Sequence, residues 1–247
     1  MQRYFVTKDS IADGIVTITG GDVHHIVRVM RMEQGDEIIC SDNDKRTYRC
    51  RISSLHNEAI QATILEEYGQ KSELPVAVTI AQGLPKGDKL EFITQKSTEL
   101  GASCVLPFSA RRSVPKWDEK KAGKKIERLN KIAKEAAEQA HRDRIPKVEK
   151  LHSFQELLGR MKDYQHCIVA YEEVARQGEP SLLAKALARV QRKQSLLVII
   201  GPEGGLTPEE VEKLKEEGAA LCGLGPRILR TETAPMYVLS AISYYFE

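Results

Sequence analysis

The sequence predicts an α/β protein in two parts: a small β-barrel over residues 1–70 and a mostly parallel α/β domain over residues 74–247. Three observations carry that reading. Between Arg3 and Glu67 the chain is a series of short runs in which apolar and polar residues alternate, the pattern of half-buried strands. From Val76 onward, apolar runs without alternation are interleaved with stretches of helical periodicity, as in a sheet covered on both faces. The clearest of these runs, Ser195-Leu-Leu-Val-Ile-Ile200, leads into the glycine-rich segment Gly201 to Glu210 and then a helix, a common ligand position in α/β sheets.

In the first part, strands are expected at Gly14–Thr19, Asp36–Cys40, Thr47–Ile52 and Ala59–Ile64, with turn signals at Gly35, at Ser41 to Asp44 and near Asn57. Short strands at this spacing suggest a small barrel. A helix is expected from Asp22 to Met32, with His24, Arg28 and Arg31 at i, i+4 and i+7 on one face. Arg49 and Arg51 share one face of a strand. Both groups are candidates for phosphate contact, against the alternative of polar faces left to water. His24 and His25 point apart on a helix and have no evident third partner, so no metal is expected.

Tyr68 to Pro75 is polar and aperiodic, a linker. Beyond it the expected order is a strand at Val76–Ala81, a helix at Lys86–Leu100, a strand at Cys104–Phe108 and a long helix from Asp118 to about Ala140. A helical turn at Phe154–Met161, a strand at His166–Ala170 and a helix from Pro180 to Val190 precede the Ser195–Ile200 strand. Thr207 caps the next helix, with Glu210 completing a capping box and Pro208 at its first position. A short strand at Ala219–Leu224 and a final helix with Leu239, Ile242 and Phe246 inward end the chain.

Bulk properties narrow the function. The 41% hydrophobic content of the 247 residues suffices for a real core. Five scattered cysteines without CxxC or zinc spacing read as buried thiols of a reducing compartment. No apolar run approaches the ~20 residues that span a bilayer, and a soluble, cytoplasmic protein is expected. The net charge of +2 is unevenly spread, because residues 111–147 carry 13 Lys/Arg against 6 Asp/Glu. With Lys86, Lys89 and Lys96 on one helix side and Arg111 and Arg112 after a strand end, this pattern points to a polyanion partner. Few aromatics are interleaved, so folded RNA fits better than an unstructured strand.

The glycine segment is not a P-loop, because Leu206-Thr207 stand where Lys and Ser/Thr are required, and it is not a GxGxxG fingerprint. Twenty residues on, Leu224-Gly-Pro-Arg-Ile-Leu-Arg-Thr-Glu-Thr-Ala234 runs into the C-terminal helix. The pairing of GPEGG after one strand with LGPRILRTETA after the next resembles the knotted SPOUT-type RNA methyltransferases, in particular the RsmE family that methylates N3 of a uridine in 16S ribosomal RNA. Lys86 to Gly101, Arg111-Arg-Ser-Val114, Glu135 to Arg142 with Pro146, and His24 to Arg31 resemble further family segments in the family's order.

The resemblance implies a PUA-like RNA-binding β-barrel domain over residues 1–70, a SPOUT α/β-knot methyltransferase domain over 74–247, and a homodimer. It implies S-adenosylmethionine as cofactor, held by Ala170, Gly201, Pro202, Glu203, Gly204, Leu224, Gly225, Ile228 and Leu229, where glycines keep the backbone open and apolar side chains suit an adenine. Uridine N3 attacks well only once its proton has left, so the site needs a base or a positive charge for the developing imidate. Arg230 is the candidate for that charge, with Glu232 orienting Arg230 or taking the proton; an Arg/Glu pair capping the last helix is the structural alternative. RNA contact is expected from His24, Arg28, Arg31, Lys86, Lys89, Arg111, Arg112 and Arg142, with 16S rRNA or the small subunit as partner and no metal. A noncatalytic ribosome-assembly factor, or a methyltransferase for another RNA such as tRNA, are the alternatives.

Overall fold

The computed structural model describes residues 1–44, 46–69, 72–173 and 182–247. Gln70 and Lys71 of the expected linker, and Pro180 and Ser181 of the expected 180–190 helix, lie outside the described residues. Contacts divide the chain into two units, Met1–Glu73 with Ala137–Ile145, and Leu74–Ala136 with Pro146–Glu247.

The first unit holds β1 (Gln2–Phe5), β2 (Ile11–Ala12), β3 (Ile15–Thr19), β4 (Glu37–Ser41), β5 (Arg46–Leu55) and β6 (Ala59–Gly69) in one sheet of order β1-β4-β5-β6-β3-β2. β1 pairs parallel with β4, and the other ladders are antiparallel. The alternation does what it predicts: Val16 and Ile18 of β3, Ile38 and Cys40 of β4, and Cys50 and Ile52 of β5 all enter one core. The helical segment departs from expectation. Gly21–His24 forms α1, but His25–Val29 is a wider π turn closed by Met30 N–H donating to His25 O at 2.9 Å. Arg31 then takes φ 52°, a left-handed residue outside the helix. A turn of i→i+5 shifts the side-chain register, so His24, Arg28 and Arg31 do not form one helical face, although all three are exposed. Arg49 and Arg51 do share a face, where both bind Glu37 (3.2 and 3.0 Å) and Arg49 also binds Glu66.

Residues 137–145 join this unit through Asp143. Its Oδ1 accepts from Arg3 Nη1 (2.7 Å) and Thr47 Oγ1 (3.0 Å), and its Oδ2 accepts from Ser72 N and Oγ (3.0 and 2.9 Å). Beside it, Arg142 binds Glu73 through Nε (2.9 Å) and Nη2.

The second unit holds β7 (Ala77–Gly83), α2 (Lys89–Glu99), β8 (Cys104–Ser109), α3 (Glu119–Gln139, whose last three residues belong to the first unit), β9 (Lys147–Val148), β10 (His152–Ser153), α4 (Phe154–Met161), β11 (His166–Ala170), α5 (Leu182–Leu187), β12 (Ser195–Ile200), α6 (Pro208–Glu216), β13 (Ala220–Cys222) and α7 (Thr233–Phe246). The sheet is parallel throughout, in the order β10-β8-β7-β12-β11-β13 with β9 on β8. β12 lies between β7 and β11, which explains its unbroken apolar run. Leu196, Val198 and Ile200 face a core with α5 and α7, while Leu197 and Ile199 face another with α4 and α6. The expected helix at Lys86–Leu100 begins only at Lys89, so Lys86 precedes the helix and does not share its face. Leu239, Ile242 and Phe246 of α7 are buried as their spacing predicts.

Candidate active site

Strands β11, β12 and β13 end side by side, and the loops that follow them enclose a cavity of about 650 Å³. The first wall is Ala170 to Glu173, the second Gly201 to Leu206, the third Leu224 to Thr231, and Lys89 and Arg112 complete the rim. All nine residues expected to hold a cofactor line this cavity, and so does Arg230. Tyr171, Arg227, Thr231 and Ala234 also line it. The sequence carried signals for all four, since Arg227, Thr231 and Ala234 stand inside the LGPRILRTETA segment and Tyr171 directly follows Ala170 in a stretch that the family resemblance already marks.

The glycine loop is set by the helix that follows it. Thr207 Oγ1 accepts Glu210 N–H at 3.3 Å and Glu210 Oε2 accepts Thr207 N–H at 2.9 Å, the capping box with Pro208 in the first turn. Glu210 Oε1 also accepts Arg111 N–H at 2.8 Å, anchoring the loop after β8. At position 201 packing itself requires a glycine. A Cβ at Gly201 would lie 3.0 Å from Gly205 C and Leu206 N. The carbonyls of Gly201, Pro202 and Gly204 already accept from Thr231 Oγ1 (2.7 Å), Gly205 N (2.8 Å) and Arg112 Nη1 (2.9 Å). These three carbonyls are thus engaged within the protein.

The charges are arranged differently from the sequence reading. Arg230 is exposed and has no hydrogen bond or ion pair from its side chain to a described residue. Glu232 does not orient it. Glu232 stands at the N-cap of α7 without a capping bond, and its Oε2 lies 3.2 Å from Lys89 Nζ. This charge contact lacks hydrogen-bond geometry, leaving a buried oxygen with no hydrogen-bond partner. Lys89 Nζ also lies 3.0 Å from Glu203 Oε1, and the hydrogen bond to Glu203, reinforced by Glu232, holds the ammonium above its ordinary pKa despite partial desolvation. Burial pushes the Glu203 carboxyl up, but its own N–H, Lys89 and the Lys86 N–H together bring it below the usual carboxylate value.

The residues expected at RNA therefore separate. His24, Arg28, Arg31, Lys86 and Arg111 are exposed. Lys89 is spent on two carboxylates, and Arg112 donates to Gly204 O and Leu206 O as a clamp on the glycine loop. Arg142 is a correction: it is 2% exposed and bound to Glu73, so it cannot reach a nucleic acid. Among the described residues no three His, Cys, Asp or Glu side chains cluster as metal ligands, and no helix is long and apolar enough to cross a membrane.

Comparison with known proteins agrees with this geometry. Residues 72–243 match the model of an RNA methyltransferase domain, and residues 18–65 match that of an RNA methyltransferase PUA domain. The ribosomal RNA small subunit methyltransferase E of Bacillus subtilis (strain 168) is 54% identical over 250 residues, covering 100% of this chain and 98% of that protein. The chain belongs to the ribosomal RNA small subunit methyltransferase E family. Solved structures extend the likeness to three dimensions. A crystal structure described as a hypothetical protein has 52% identity and a TM-score of 0.92, covering 100% of this chain and 99% of its own. The Neisseria gonorrhoeae member of the same family, crystallised bound to S-adenosyl methionine, has 27% identity and a TM-score of 0.85, covering 100% of this chain and 98% of its own.

Proposed function

We propose that this chain methylates N3 of a uridine in small-subunit (16S) ribosomal RNA, with S-adenosylmethionine as methyl donor, in the cytoplasm. The observation that carries the proposal is the cavity of about 650 Å³, in which the loops after β11, β12 and β13 converge with Arg230 at the rim. Its volume lies in the range of about 300–1,000 Å³ typical of small-molecule sites. Its lining fits the cofactor: Ile200, Leu224 and Leu229 give an apolar wall for adenine, and Gly201 and Gly204 sit where an added Cβ would crowd its neighbours. S-adenosylmethionine supplies an electrophilic methyl group on a sulfonium.

The protein's own work is alignment and charge. In-line displacement needs the nucleophile held within about 3–3.5 Å of the carbon it attacks, and no covalent enzyme intermediate. Arg230 lines the cavity and is unpaired among the described residues, which supports the reading that it stabilises the negative charge growing on the imide as its proton leaves. Glu232 acts through Lys89 rather than through Arg230. Residues 1–70 serve as the RNA-binding domain and 74–247 as the methyltransferase domain, with phosphate contacts from His24, Arg28, Arg31, Lys86 and Arg111. The functional form is a homodimer. Tyr237 and Tyr244, 38% and 93% exposed on α7, support an interface there, and Tyr237 Oη stands 3.5 Å from where a Cβ on Gly225 would be.

The test is mass spectrometry of nucleosides after incubating the protein and S-adenosylmethionine with unmethylated small subunits or naked 16S rRNA. New 3-methyluridine is expected. Its absence on both substrates overturns the proposal.

A further inference from the structure

The two principal loops of the cavity are tied at two levels. In the interior, Gln82 Nε2 donates to Thr231 Oγ1 (2.9 Å) and Gly201 O (3.3 Å), and Thr231 Oγ1 donates to the same carbonyl. That clasp is neutral and sealed, with Gln82 fully buried. At the surface the tie is ionic. Lys89 Nζ sits between Glu203 of the glycine loop (3.0 Å) and Glu232 of the loop that carries Arg230 (3.2 Å). Three stretches distant in sequence, the first turn of α2 and both loops, thus meet on one ammonium.

We propose that Lys89 is a positioning residue for methyl transfer: its ammonium holds the glycine loop against the Arg230 loop, and it is not a grip on RNA phosphate. The proposal rests on the methyltransferase reading above. Without Lys89, two carboxylates no further apart than two ion-pair lengths would face each other with their shared cation gone. Like charges at that range repel, and Glu232 Oε2, buried without a hydrogen bond, has the least other compensation. One of the loops must then move or one carboxylate must take up a proton. Because Arg230 is two residues from Glu232, movement of that loop displaces the guanidinium as well. Arginine at position 89 keeps the charge and can fork between two carboxylates, whereas methionine keeps only the aliphatic stem.

The experiment compares the wild type, Lys89→Met, Lys89→Arg and Lys89→Met combined with Glu203→Gln. It uses S-adenosylmethionine titration by calorimetry, binding of a labelled 16S rRNA fragment against salt, and urea unfolding to establish that each variant folds. Lys89→Met is expected to weaken cofactor binding about fivefold to tenfold, the scale of a partly exposed double ion contact. Its RNA affinity and salt slope should match the wild type. Lys89→Arg should restore the cofactor affinity, and Glu203→Gln should restore part of it by removing one of the repelling charges. Wild-type cofactor affinity in Lys89→Met overturns the proposal, and so does a variant that loses RNA affinity with a shallower salt slope while binding cofactor normally. If the wild type itself gives no heat with S-adenosylmethionine, the methyltransferase reading falls, and this proposal with it.

Discussion

Arg230 differs from Arg112 in having no side-chain partner among the described residues, a freedom it shares with Arg227. Arg112 is committed to two carbonyls of the glycine loop, while the Arg230 guanidinium is exposed at the rim. A positive charge needed only as the imide ionises should affect turnover and spare cofactor binding. Arg230→Ala is therefore expected to lower kcat by about 100-fold or more, the scale of losing one charge-stabilising donor, with S-adenosylmethionine affinity within about twofold of wild type. Calorimetry and single-turnover methylation measure the two parts. The cysteines give a residue-scale prediction of the opposite kind. Burial pushes the Cys104 thiol up to about 12 and the Cys167 and Cys222 thiols up to about 11. A raised folded pKa favours the protonated form, so any stability these thiols contribute is fully present below the ordinary value of about 8.5 and is lost as pH rises through 11–12. At pH 8 these three thiols should resist a thiolate-specific reagent in the folded protein and react fully in denaturant. Rapid labelling of Cys104, Cys167 or Cys222 in the folded protein, located by peptide mass spectrometry, would contradict the burial.

At the scale of elements, two loops and one short segment do most of the positioning. The glycine loop folds back on itself so closely that a Cβ at Gly201 meets backbone atoms at 3.0–3.1 Å, none of which can swing away like a side-chain end. Gly201→Ala should cost about 1–3 kcal/mol of stability or weaken cofactor binding tenfold or more, as overpacking does. Gly123→Ala, in open space on the exposed face of α3, should instead stabilise by about 0.5–1 kcal/mol through helix propensity. Urea midpoints compare the pair. The segment 137–145 depends on Asp143, whose carboxylate accepts hydrogen bonds from Arg3, Thr47 and Ser72. Asp143→Ala leaves the nearly buried Arg3 without its anion and should destabilise by about 3–5 kcal/mol. A loss below about 1 kcal/mol in denaturant unfolding would show that water reaches Arg3 instead. The helix at Asp22–Met32 was only half legible, because propensity and spacing do not distinguish an α turn from a π turn, and the left-handed Arg31 carries no glycine to announce it.

For the whole molecule, electrostatics sets how the chain meets RNA, and the structure thins the set of cations able to do so. Arg28 and Arg31 stay exposed, whereas Arg49 and Arg51 are matched by Glu37 and Arg142 by Glu73. Replacing Arg28 and Arg31 together with alanine should make the slope of log affinity against log salt shallower by about 1.5–2 units, with cofactor affinity unchanged. An unaltered slope in filter binding would leave both as solvated surface charges.

What the sequence by itself determined is local and periodic: the strand run Ser195–Ile200, the capping box at Thr207 and Glu210, the inward stripe of the last helix, and the chain order of segments by which the family is recognised. Each follows from neighbours a few residues apart, where backbone geometry fixes which side chains share a face. Only the tertiary structure decided which charges meet. Lys89 finds Glu203 and Glu232, Arg112 finds Gly204 O, and Arg142 finds Glu73, all across sequence separations that no spacing rule spans. A charge seeks whichever opposite charge the fold brings within about 4 Å. The sequence could therefore present these basic residues as candidates for RNA, but it could not say which of them the protein had already used on itself.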